Sequence, residues 1–144
     1  GLSYGAEFLY EYCGRDLYMT TAEGADITLG NDILISDSCY IRADDSHPIY
    51  DGFTGERINP ARPVTVEDHV WIGQEVFLMP GSHVGTGSVV GARSMVTRSN
   101  PIPSHALAIG SPATVQREGI HWVRKHLQNS TDIDAAIPPM FSTV

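Results

Sequence analysis

Residues 64–99 read V-T-V-E-D-H-V-W-I-G-Q-E-V-F-L-M-P-G-S-H-V-G-T-G-S-V-V-G-A-R-S-M-V-T-R-S, and within them Val66, Ile72, Leu78, Val84, Val90 and Val96 fall six residues apart. Leu29, Ile35 and Ile41 carry the same spacing upstream. A second row lies two positions earlier: Ile27, Ile33, Cys39, Val64, Val70, Val76, Ser82, Ser88 and Ser94, nearly all of them short. A fixed short period marks a solenoid in which each strand is one face of a coil, and a period of six specifies a parallel β-helix. Three hexads make one coil of about eighteen residues. A large inward residue beside a small one suits a narrow triangular prism. Gly30, Gly73, Gly85 and Gly91 each follow a large inward residue, where a tight corner is expected to need the backbone freedom of glycine.

Outward from this stretch, the chain of 144 residues reads as one domain. Residues 1–26 carry Tyr4, Phe8, Tyr10, Tyr12 and Tyr18 and are expected to form an imperfect first coil, because an uncovered solenoid end leaves strand edges unpaired. Residues 27–44 form a clean coil. From Ile41 to Val66 is 25 positions, one more than four hexads, so residues 45–63 must leave the wall as a protruding loop. Its sequence, D-S-H-P-I-Y-D-G-F-T-G-E-R-I-N-P-A-R-P, is rich in Gly, Pro and Asp, and an excursion this long from a strict repeat points to function or to disorder rather than to a structural role. Residues 64–99 give two further coils. Asn100, Pro101 and Pro103 stop the repeat, and residues 100–144 are expected to hold a short strand at Ala106–Ile109, a helix over Glu118–Gln128 with Trp122 and Leu127 on one side, and a tail from Asn129. That tail, with its Pro138-Pro139 pair, is a candidate for disorder or for docking on a neighbouring copy.

Composition narrows the function. The formal charge of −8 argues against a general nucleic-acid binder, which needs a basic face. Cys13 and Cys39 are too few for a disulfide framework. No apolar run approaches the length that spans a bilayer and no signal peptide opens the chain, so the expected location is the cytoplasm.

The stretch from V-T-V-E-D-H-V-W-I-G through P-G-S-H-V-G-T-G-S-V-V-G-A-R-S-M-V-T-R to G-S-P-A-T-V-Q-R-E-G-I-H-W, with D-D-S-H-P-I-Y-D upstream, resembles the hexapeptide-repeat acyltransferases, in particular the galactoside, maltose and polysaccharide O-acetyltransferases. The resemblance covers residues 27–122. It implies an all-β, left-handed parallel β-helix with acetyl-CoA as acyl donor, a sugar or polysaccharide hydroxyl as acceptor, direct transfer in a ternary complex, and a homotrimer. Handedness is implied by the resemblance alone, since β-crossovers are usually right-handed. The resemblance also implies His47 as general base and cofactor contacts at Gln74, Ala92, Thr97, Arg98 and Arg117. Gln74 and Thr114 depart from the pattern, which has a small residue and a cation at those places.

The residues themselves support part of this. His47 sits where the repeat breaks, Pro48 restricts it to extended or turn geometry, and an imidazole titrates near neutrality. Asp44, Asp45 or a backbone carbonyl is expected to fix its tautomer. Trp71 lies between the two inward rows, so strand alternation turns it outward, either toward the reaction or toward a subunit contact. Tyr50, Asp51, Phe53 and Glu56 are candidates for the acceptor pocket. No metal is expected: a γ-type carbonic anhydrase, the rival with zinc-binding histidines, needs a close pair on the wall, whereas His69 and His83 are separated by thirteen residues. His121 and His126 have a closer spacing but lie past the repeat. His69 is read as a wall residue. Beside the O-acetyltransferase stand two further readings, an N-acetyltransferase for an amino-sugar nucleotide and a non-catalytic scaffold.

Overall fold

The structure, a computed structural model, describes residues 1–4, 8–10, 16–127 and 139–141. Cys13 and nearly all of the tail beyond Gln128 lie outside the described residues. The first coil consists of β1 (Leu2–Tyr4), β2 (Phe8–Tyr10) and β3 (Tyr18–Thr20), and the second of β4 (Ile27–Leu29), β5 (Ile33–Ile35) and β6 (Tyr40–Arg42). The third coil holds β7 (Val64–Val66), β8 (Trp71–Ile72) and β9 (Phe77–Leu78), and the fourth β10 (His83–Val84), β11 (Val89–Val90) and β12 (Met95–Val96). Strands stack in parallel into three faces. Face A is β1-β4-β7-β10, face C is β3-β6-β9-β12, and face B runs from β2 through β5, β8 and β11 to β13 (Ala106–Gly110) and β14 (Ala113–Glu118).

Both inward rows are buried along their whole length, with Leu29 the most accessible of the eighteen residues at 2%. Each inward residue stacks on its equivalent one coil away, for example Ile35 on Ile72 and Ile72 on Val90. Burying an aliphatic side chain contributes roughly 1.5–3 kcal/mol, so repetition of this contact supplies the core.

The corners work differently from the sequence expectation. Gly30, Gly73, Gly85 and Gly91 do not have positive φ; the left-handed position falls two residues later, at Asp32, Glu75, Gly87 and Arg93, and likewise at Ser38, His69, Gly81 and His105. Glycine is required at the first position because the next coil passes too close for a Cβ. An added Cβ would stand 2.8 Å from Ala92 N at Gly73 and 2.5 Å from Ser104 N at Gly85.

At the C-terminal end, β13 continues face B and β14 folds back on it antiparallel. The expected helix over Glu118–Gln128 is absent from its described part, 118–127. Glu118 ends β14, Gly119 takes φ +69°, and residues 120–125 run as an irregular strap along the wall. Trp122 explains the difference. It packs with Leu34 and Val89 on the outer side of face B, and its indole N–H donates to the His69 carbonyl at 2.9 Å. These contacts across the wall replace the hydrogen bonds a helix would make along itself.

Candidate active site

The segment after β6 leaves the prism at the corner between faces C and A and forms a short antiparallel arm. Ile58 N–H donates to the Ile49 carbonyl (2.9 Å), Asp51 N–H to the Glu56 carbonyl (2.8 Å), and Tyr50 and Arg57 form a bridge. At the tip, the Asp51 carboxylate accepts from the amides of Phe53 (2.7 Å) and Thr54 (2.9 Å), bonds that hold its pKa below the usual value. The arm is tied down by Arg57, which makes a two-pronged ion pair with Glu23 at 2.5 and 3.0 Å. Glu23 also accepts from Ala61 N–H (3.1 Å), and these bonds, that from Arg57 foremost, lower its pKa. On the returning strand, Arg62 N–H donates to the Ala43 carbonyl (2.9 Å) and closes the arm at its root.

His47 is exposed near that root. Its N–H donates to the Asp45 carbonyl (2.7 Å) and its carbonyl accepts from Asn59 Nδ2 (2.9 Å), while its ring makes no hydrogen bond among the described residues. Neither of the carboxylates expected to orient the ring is bonded to it. Asp44, itself buried, accepts from Ser46 N–H (2.9 Å), and Asp45 accepts from Asn59 Nδ2 (3.1 Å). Asn59, which also accepts Ile49 N–H at 2.6 Å, was not singled out by sequence. Its importance comes from partners ten to fourteen residues away, and no spacing rule reports that. Of the residues suggested for an acceptor pocket, Tyr50 and Phe53 are exposed and Glu56 lies at the end of the arm.

Trp71 points outward from β8, 39% exposed, with its ring centroid 6.0 Å from that of Trp122 in the strap. It stands on face B, whereas His47 projects from the corner between C and A. One prism therefore keeps the two apart.

Gln74 and Ala92 occupy the corner from B to C, one coil apart, where Arg93 N–H donates to the Gln74 carbonyl (2.8 Å). Beside them the outer side of face C carries a ladder of Tyr18, Tyr40, Phe77 and Met95. Tyr40 and Phe77 stack at 4.7 Å and 3°. A cavity of about 450 Å³ opens on this ladder, lined by Ser38, Tyr40, Glu75, Phe77, Arg93 and Ser111 among others. Thr97 and Arg98 close the far edge of the same face. The Arg98 stem packs over Gly81, which also borders the stem of Arg62, each about 3.1–3.2 Å from where a Gly81 Cβ would stand. Arg117 is separate, exposed on β14 and paired with Leu107.

His69 belongs to the wall. Its left-handed corner position directs Nδ1 to the Asp32 carboxylate and Nε2 to the Trp122 carbonyl (3.0 Å), and its ring stacks on Trp122 at 4.2 Å. Arg124 donates to the other Asp32 oxygen at 2.6 Å. His83 instead pairs with Glu67 at 2.9 Å. Among the described residues no group of three or more His, Cys, Asp or Glu side chains is placed to hold a metal ion within one chain. No helix among them is long and apolar enough to cross a membrane.

Six-residue repeats, three to a coil, with three parallel faces and an arm at one corner define a parallel β-helix of the hexapeptide-repeat class, and its structural neighbours are left-handed β-helices. No known family profile matches the chain. It is 36% identical over 107 residues to a polysialic acid O-acetyltransferase of Escherichia coli O1:K1 / APEC, covering 74% of this chain and 34% of the relative. It is 32% identical over 120 residues to the galactoside O-acetyltransferase of Escherichia coli K12, covering 81% and 56%. The solved polysialic acid O-acetyltransferase OatWY superposes with a TM-score of 0.69 at 31% identity, covering 82% of this chain and 56% of that one. The hexapeptide-repeat acetyltransferase VCA0836 of Vibrio cholerae, solved with acetyl coenzyme A, gives 0.60 at 27% identity, covering 81% and 60%. The chain belongs to the hexapeptide-repeat acyltransferases, and it spans between a third and somewhat over half the length of these curated relatives.

Proposed function

We propose that this chain transfers acetyl from acetyl-CoA to a hydroxyl of a sugar or polysaccharide, directly and without an acetyl-enzyme. The observation that carries the reading is the anchored arm that presents His47, its ring without a partner among the described residues, on a prism whose relatives are named O-acetyltransferases. The His47 imidazole takes the acceptor's O–H proton as that oxygen attacks the thioester carbonyl carbon. The C–S bond then breaks, and the departing thiolate takes up a proton, restoring a neutral imidazole when His47 supplies it. Trp71 is assigned to the surroundings of the developing oxyanion or of the sugar ring.

The donor fits face C. Its apolar ladder and cavity suit a slender acyl-pantetheine arm, and Gln74 and Ala92 border the face at one corner and Thr97 and Arg98 at the other, outside the residues that line the cavity. Arg98 and Arg117 are the cations we assign to the phosphates, which a chain of net charge −8 must meet with local positive groups. His47 and the face C contacts lie apart from Trp71 and Arg117 on one prism, so the complete site is assigned to the groove between adjacent copies of a homotrimer. A closed three-fold arrangement repeats that groove three times.

A thiol-release assay with acetyl-CoA over a panel of sugars and glycans tests the reading. His47→Ala is expected to lower the rate about 10²- to 10⁴-fold. A rate within a few-fold of the native chain would remove His47 from the chemistry. Turnover with an amino sugar and with no hydroxyl acceptor would assign N-acetyl transfer instead.

A further inference from the structure

Taking His47 as the base, we propose that Asn59 is its positioning residue, a three-bond clamp that sets where the imidazole stands without touching substrate. The His47 ring has no hydrogen-bond partner among the described residues, so its position follows from its backbone and its rotamer. Asn59 is the side chain that fastens that backbone. Its Nδ2 donates to the His47 carbonyl at 2.9 Å and to Asp45 Oδ2 at 3.1 Å, and its Oδ1 accepts Ile49 N–H at 2.6 Å. These partners lie two residues before His47, at His47 and two residues after it. The outgoing strand of the arm is thus held on both sides of the base by one residue of the returning strand.

The chemistry of the clamp is specific to a carboxamide. It uses one carbonyl oxygen and both N–H groups, and the partners fix which end is which, since a carboxylate and a carbonyl require donors and an amide N–H requires an acceptor. Aspartate would keep the bond to Ile49 and turn an oxygen toward two acceptors. Neighbouring bonds supply the rigidity that makes the clamp effective. Asn59 has its own carbonyl held by Arg57 Nη2 (3.2 Å), and Arg57 is paired with Glu23 on the prism. The base is therefore referenced to the solenoid through Glu23, Arg57 and Asn59 in turn. The coils themselves do not use Asn59, so its loss should leave their stability in place.

The test compares the native chain, N59A, N59D and the double variant D45N/N59D. N59D should lower kcat by about 10- to 100-fold, the scale expected when a catalytic group is misplaced by an ångström, with KM for acetyl-CoA within about twofold of native. The double variant removes the facing carboxylates and returns a donor–acceptor pair between positions 45 and 59. It should recover at least about threefold of the lost kcat, a coupling that independent sites do not show. Melting temperatures should stay close to native. Amide hydrogen exchange provides a readout independent of turnover, because Ile49 N–H should lose its protection in N59A. The proposal is overturned if N59D keeps kcat within twofold, if its loss is matched by loss of acetyl-CoA binding and of melting temperature, if the double variant is no better than N59D, or if Ile49 exchange is unchanged in N59A. A native chain that releases no thiol with any acceptor would instead defeat the acetyltransfer reading, and Ile49 exchange would still decide the clamp.

Discussion

A Cβ at Gly85 would stand 2.5 Å from Ser104 N and 2.8 Å from Pro103 C, both backbone atoms of the next turn that cannot swing aside. Gly85→Ala should therefore lower stability by about 1–3 kcal/mol, the range for forced overpacking. Gly52, on the exposed arm with nothing within 4 Å and no positive φ, is the control, and Gly52→Ala should stay within about 0.5 kcal/mol. Denaturant melts of the two variants check this, and equal midpoints would contradict the close-approach account. The glycines also mark how far single residues can be read. Their positions in the repeat were legible, while the reason for them was not, because the left-handed corners are filled mostly by Asp32, Ser38, His69, Glu75 and Arg93, a mixed set in which only Asp and His lean toward that conformation. Asn59 was silent for a related reason. Its partners become neighbours only once the arm has folded.

The strap from Ile120 to Lys125 shows the same limit for an element. Trp122 and Leu127 suggest one face of a helix, yet the indole finds a better partner on face B and the segment follows the wall. Its attachment depends on a carboxylate. Partial burial pushes the Asp32 carboxyl up, but hydrogen bonds from His69 and Arg124 outweigh that and leave it below its ordinary value. A group of this kind stabilises the docked strap fully above its unfolded pKa of about 3.9, and the contribution is lost as pH falls through the lowered folded value. Tryptophan emission, which reports both Trp122 and the adjacent Trp71, should thus be insensitive to Asp32 between pH 7 and about 5 and shift red on acidification below about 4. Asp32→Asn removes the carboxylate at every pH and should be red-shifted already at pH 7. An emission maximum equal to the native one would mean that the strap is held by packing alone. Glu67 has the same sign, lowered chiefly by its bonds from the Thr86 hydroxyl and amide, and reinforces acid sensitivity at the A-to-B corner.

At the scale of the whole molecule, the fold was legible because a solenoid repeats its rule, so nine positions in each row reported the same fact. The site has no such redundancy: its parts lie on different faces, and a hexapeptide period says nothing about how prisms associate. The topology nevertheless constrains that association. His47 leaves from the corner between faces C and A, Trp71 stands on face B, and the open aromatic ladder of Tyr18, Tyr40 and Phe77 on face C leaves a wide apolar surface for a neighbour or for the donor. If a working site takes His47 from one copy and Trp71 from the next, two crippled chains can complement each other. Chains carrying His47→Ala and chains carrying Trp71→Ala, each expected to be severely impaired as homo-oligomers, should regain activity when co-folded in equal amounts. Random closed assembly pairs an intact His47 with an intact Trp71 at about a quarter of the grooves, so about a quarter of the native rate is expected. Sites contained within single prisms would give no recovery at any mixing ratio, because every chain in the mixture would lack one of the two residues.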